Sequence, residues 1–136
     1  MINKALNQYK SVDLNTAVEA ASPHQLISML FRGALESLAK ATGHIERNEV
    51  QERARQINKA CEIIVALKGS LNFEQGEEIA TNLDNLYSYM LGALMEANSK
   101  NDVAKVKEVS ELIVTISEGW SQIPAEEHQT TSYKEG

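Results

Sequence analysis

The chain of 136 residues is 43% hydrophobic and 24% charged, enough apolar material for one packed core and too much for an intrinsically disordered chain. Its net charge of −6 argues against a nucleic-acid binder, which needs clustered Lys and Arg, and against attachment to an anionic membrane surface. With Cys61 as the one cysteine there is no intramolecular disulfide framework and no Cys-based zinc cluster, which suits a reducing compartment.

The leading stretch "MINKALNQYKSVDLN" lacks the apolar core of a signal peptide, and no apolar run nears the ~20 residues of a membrane span. A cytoplasmic protein with no direct membrane insertion is expected. Leu6, Tyr9 and Val12 stand at near-helical spacing, but "SVDLNTAVEAASP" carries no sustained helical period. Residues 1–22 are therefore expected to form a short tethered element, a lid, followed by a linker.

Pro23 and Pro124 are the two prolines, and everything strongly periodic lies between them. Ser22, Pro23 and Gln25 supply an N-cap hydroxyl, a first-turn proline and an S-x-x-Q capping box, so the first helix is expected to start at Pro23 and run to about Glu46. Asn48 suits both the stop of this helix and the cap of the next. A second helix over about 49–71 aligns Ile57, Ala60, Ile64, Leu67 and Leu71 on one side. After the loop "NFEQG", a third over about 77–98 aligns Ile79, Leu83, Leu86, Met90, Ala93 and Ala97, with Glu77 and Glu78 at the positive end of its dipole.

A fourth helix over about 103–122, capped by Asp102 or Asn101, puts Val106, Val109, Ile113, Ile116, Trp120 and Ile123 inside. Its run "LIVTI" has the composition of a strand but not the alternation of one, and its flanks keep the helical step. The polar stretch "PAEEHQTTSYKEG" has no period and is expected to be a disordered tail over 124–136. Four such helices with short loops must fold back on one another. The expected fold is all-α, an antiparallel up-down four-helix bundle over 23–123.

The apolar faces are wider than such a bundle needs. On the first helix Ile27, Leu30, Ala34, Leu38, Ala41 and Ile45 make a sufficient seam, yet Leu26, Met29, Phe31 and Leu35 widen the arc to roughly 240°, where a core stripe needs little more than about 100°. The second helix overflows through Ile63 on one flank and Ala54, Cys61 and Val65 on the other, the third through Tyr87, Tyr89, Leu91 and Met95. One account of the excess is that bundle helices with two neighbours bury broad faces; the other, since Met and Tyr are common where a binding surface must adapt, is a groove for another helix. From that excess, Leu6, Tyr9, Leu26, Met29, Phe31, Tyr87, Tyr89, Leu91 and Met95 are the expected client and lid surface.

Signals of catalysis are weak. His24, His44 and His128 pair with no plausible nucleophile, and no Glu is followed three residues later by His, which a di-metal bundle requires. The glycines form no phosphate cradle. No catalytic group, cofactor or metal site is expected, and Cys61 reads as a small core hydrophobe. His44 on a helical phosphotransfer or adaptor domain is the alternative from another class, although "GHIERN" lacks the lysine-glycine such sites carry after the histidine. A self-pairing dimeric bundle is a further one.

Four stretches in order, Tyr9 ahead of a linker, "ASPHQLISMLFRGAL", "SLNFEQGEEIATNLDNLYSYML" and "VKEVSELIVTISEGW", resemble the FliS family of flagellar secretion chaperones over nearly the whole chain. Gly76, Glu78, Ile79, Ala80, Leu83, Leu86, Tyr87 and Tyr89 carry the densest part of the likeness, and Arg32 departs from the acidic residue usual at its position. The resemblance implies a bundle that is no enzyme and that binds the disordered C-terminal segment of flagellin. It further implies that binding prevents premature polymerisation, that the cargo goes to the membrane export gate of the flagellar type III secretion apparatus, and that the N-terminal element covers part of the groove until flagellin displaces it.

Overall fold

The computed structural model describes residues 21–123. They form four helices, α1 over Pro23–Glu46, α2 over Val50–Gly69, α3 over Glu77–Lys100 and α4 over Val103–Ser121. The lid and linker expected over most of 1–22, with Leu6 and Tyr9, and the tail expected over 124–136 lie outside the described residues.

Local chemistry sets the helix ends. Ser22 holds an extended backbone and accepts the Gln25 N–H at 3.2 Å, while Gln25 Oε1 accepts the Ser22 N–H at 2.8 Å, which closes the expected capping box with Pro23 in the first turn. Asp102 caps α4 by accepting the N–H groups of Ala104 and Lys105. Asn48 and Asn101 both adopt left-handed backbone at φ 57°, the conformation that terminates a helix and that asparagine tolerates better than most residues.

Asn48 does not also cap α2, as its sequence position suggested; Glu49 stands there. No side-chain bond caps that end, because the Glu49 carboxylate is turned back to the end of α1. It accepts from His44 Nδ1 at 2.7 Å and from Arg47 Nε at 2.9 Å.

Each helix packs against two neighbours, α1 on α2, α2 on α3, α3 on α4, and α4 back on α1, so chain order runs around a square bundle. Cross-contacts show the antiparallel sense. Arg53 early in α2 reaches Asn98 and Asn101 at the end of α3, and Lys68 late in α2 reaches Asp84 early in α3. His24 in the first turn of α1 meets Trp120 in the last turn of α4. There the imidazole stacks on the indole with ring centres 4.3 Å apart, the Trp120 indole N–H donates to the His24 carbonyl at 3.0 Å, and His24 Nε2 donates to the Trp120 carbonyl at 2.9 Å. Trp120 thus anchors the end of the bundle, as its place on the inner stripe suggested.

The core is one cluster drawn from all four helices, with Leu30, Leu38, Ile64, Leu67, Met90, Leu94, Val109 and Ile113 fully enclosed. Four residues depart from expectation here. Ile63 and the aromatic pair Phe31 and Tyr87, read as overflow, are sealed inside the cluster, because a helix with neighbours on two sides buries a broader arc than a single seam. Ile79, read as core, is 60% exposed. Lys68 stands level with Asp84, so Ile79, more than a turn earlier on α3, lies beyond the end of α2 at Gly69.

Candidate binding surface

The salt bridge of Lys68 Nζ to Asp84 Oδ1 at 2.9 Å fixes which sides of α2 and α3 face each other. On α2, Cys61 and Val65 share the stripe of Lys68, at steps of seven and three residues. On α3, Leu91 and Met95 share the stripe of Asp84, at steps of seven and eleven. The four apolar side chains therefore line the same seam from opposite helices. Cys61 and Leu91 are partly buried against the core and form its floor. Val65 at 52% and Met95 at 71% exposure form its lips.

Polar ties close the seam at both ends. Lys68 and Asp84 hold one end; Arg53 holds the other, donating to Asn98 Oδ1 at 3.1 Å and to Asn101 Oδ1 at 2.8 Å. From Arg53 to Lys68 the seam runs about 22 Å at 1.5 Å per residue, the length of a helix of roughly four turns. Burial raises the Cys61 thiol to about 11, with Glu62 adding to the effect, so the floor is a neutral S–H rather than a reactive thiolate.

The surface expected as one patch is divided. Tyr89 points to the opposite flank of α3, toward α4, where its hydroxyl donates to Glu108 at 2.9 Å. That bond, with burial as the smaller cause, raises the Tyr89 phenol above its ordinary value. Glu96 reaches Lys100 at 3.2 Å and Lys105 at 4.0 Å along the same flank, which makes the α3–α4 side an ion-paired surface. Leu26 and Met29 are partly buried against the core on α1. Phe31 and Tyr87 are wholly enclosed in the core and present nothing outward. Of the expected residues, the structure brings Leu91 and Met95 together.

Val65, noticed as overflow but not assigned to the surface, belongs beside them. Phe73, 44% exposed in the α2–α3 loop, was missed, and its signal was an aromatic side chain inside the otherwise polar "NFEQG". His44, the residue of the phosphotransfer alternative, has its Nδ1 engaged by Glu49 at the α1–α2 corner and serves there as a pin between consecutive helices. The bonds from His44 and then Arg47 hold the Glu49 carboxyl below its usual value. Among the described residues no group of three His, Cys, Asp or Glu side chains is placed to hold a metal ion, and no helix is long and apolar enough to cross a membrane.

A sequence model of the flagellar protein FliS family matches residues 5–127. The chain is 44% identical over 120 residues to the flagellar secretion chaperone FliSB of Pseudomonas aeruginosa, covering 88% of this chain and 95% of that one. It is 36% identical over 132 residues to the flagellar secretion chaperone FliS of Vibrio cholerae, covering 97% of each, and 44% identical over 119 residues to that of Salmonella typhimurium, covering 87% of this chain and 88% of that one. A match along nearly the whole length, to the family model and to relatives at 36 to 44% identity, makes this chain a member of the FliS family of flagellar secretion chaperones.

Proposed function

We propose that this chain holds the disordered C-terminal segment of flagellin as a helix in the α2–α3 seam, so that the segment cannot polymerise early, and releases it at the membrane export gate. The observation that carries the reading is the apolar strip of Val65, Cys61, Leu91 and Met95, open on its outer edge and bounded by polar ties. A segment that folds on binding gives up about 2 to 5 kcal/mol in ordering, so it needs a long apolar face to offset that cost. Fully burying a side chain such as Met or Val returns about 1.5 to 3 kcal/mol, and the two lips are more than half exposed in the chain alone. In this reading the N-terminal element with Leu6 and Tyr9 is a lid whose occupancy lowers apparent client affinity, and the work is done in the cytoplasm.

The test is fluorescence anisotropy of a labelled C-terminal flagellin segment titrated with intact protein. Val65→Asp and Met95→Asp each place a carboxylate on the seam. Each should weaken binding at least about tenfold, about 1.4 kcal/mol, while the circular dichroism and urea midpoint stay native because both positions are exposed. Binding that is unchanged in both variants would remove the seam from the reading.

A further inference from the structure

At the end of the bundle where α2 stops and α3 starts lies a second, differently built hollow, an open cleft of about 840 Å³. Its apolar lining is Val65, Leu71 and Phe73, and its polar lining includes Lys68, Glu74 and Asp84. The loop that forms one wall is organised by its own side chain: Asn72 Oδ1 accepts the N–H groups of Glu74 and Gln75 at 3.1 and 3.3 Å, a local turn that leaves the neighbouring Phe73 ring standing 44% exposed. Leu71 beneath is buried. Glu77, seven residues before Asp84 and on the same helical side, opens α3 just past the loop and outside the lining itself.

Charge here is unbalanced. Lys68 neutralises Asp84 across the cleft, but neither Glu74 nor Glu77 joins an ion pair among the described residues. The hollow therefore offers an aromatic and aliphatic floor with a surplus of carboxylate at its rim. The matching ligand carries the reverse, an apolar anchor next to a cation.

We infer that this cleft docks a segment of a second protein in which a leucine or aromatic anchor is flanked by lysine or arginine. The site adjoins the seam and shares Val65 and the Lys68–Asp84 tie with it, while Leu71, Phe73 and Glu74 belong to the cleft alone, so variants at those positions test it apart from the flagellin reading. Phe73, Val65 and Leu71 take the anchor, while Glu74 and Glu77 attract the basic flank, which gives the contact its selectivity and its salt dependence.

The test uses the intact chain and two labelled twelve-residue peptides that share a Leu/Phe anchor pair, one flanked by three lysines and the other by three glutamates. Amide chemical shifts of the protein locate the contact. The lysine peptide should shift Val65, Lys68, the loop amides around Phe73, and Asp84, bind at least about tenfold tighter than its glutamate twin in ~50 mM salt, and lose most of that margin in ~500 mM salt. The double variant Glu74→Lys and Glu77→Lys should reverse the preference, and Phe73→Ser, an exposed loop change that spares the core, should weaken both peptides. Equal affinity for the two peptides overturns the inference, as do shifts confined to other surfaces. Cleft shifts that appear on concentrating the protein alone, which mark a second copy, or cleft resonances that move when 124–136 are removed in the absence of any peptide, which mark its own tail, overturn it too.

Discussion

Replacing Trp120 by alanine, His24 by alanine, and both together would measure how strongly the α1 and α4 ends are tied. The indole is almost fully buried, so Trp120→Ala should cost about 3 to 5 kcal/mol. His24→Ala removes a stack worth about 0.5 to 1.5 kcal/mol and a hydrogen bond worth about 1 kcal/mol. In the Trp120→Ala background the stack is already gone, but the backbone carbonyl that His24 Nε2 bonds remains, so His24→Ala should cost only about 1 kcal/mol there. The difference, about 0.5 to 1.5 kcal/mol, is the coupling that a double-mutant cycle in urea, followed by circular dichroism, should return. Costs that add to within about 0.3 kcal/mol would show that the two rings do not stabilise each other and that the stack is incidental.

Three further outcomes follow from local chemistry. Asn48 sits at φ 57°, so Asn48→Ala should lower unfolding stability by about 1 kcal/mol while Asn48→Gly stays within a few tenths, checked by paired urea titrations. With the Cys61 thiol raised to about 11, roughly one molecule in a thousand is thiolate at about pH 8, and iodoacetamide should label the native chain at least about a hundredfold more slowly than the urea-unfolded one. The Glu49 carboxyl is depressed in the folded chain, so its contribution is present above the ordinary carboxylate value and disappears as pH falls through the folded one. The urea midpoint of the native chain should exceed that of Glu49→Gln above about pH 4.5, and the two should converge in stronger acid; a constant gap would contradict the His44 and Arg47 pairing.

Much of this protein was written into short range. Ser22, Pro23 and Gln25 start α1, Asp102 starts α4, and Asn48 stops α1, because caps and left-handed stops depend on bonds made within about one turn. The helical period over four stretches, with loops too short for anything but a return, carried the bundle topology by the same logic. What a wheel drawn on one helix cannot tell is how much of its apolar arc the neighbours will cover. Phe31, Ile63 and Tyr87 look like excess and are enclosed; Ile79 looks like core and stands clear of the end of α2. Tyr89 and Met95 look like one surface and lie on opposite flanks of α3, one held by Glu108 and the other beside the seam. Those outcomes depend on which helices stand on either side and on the register that Lys68–Asp84 and Arg53–Asn98 report, contacts between residues far apart in the chain, and only the tertiary structure decides them.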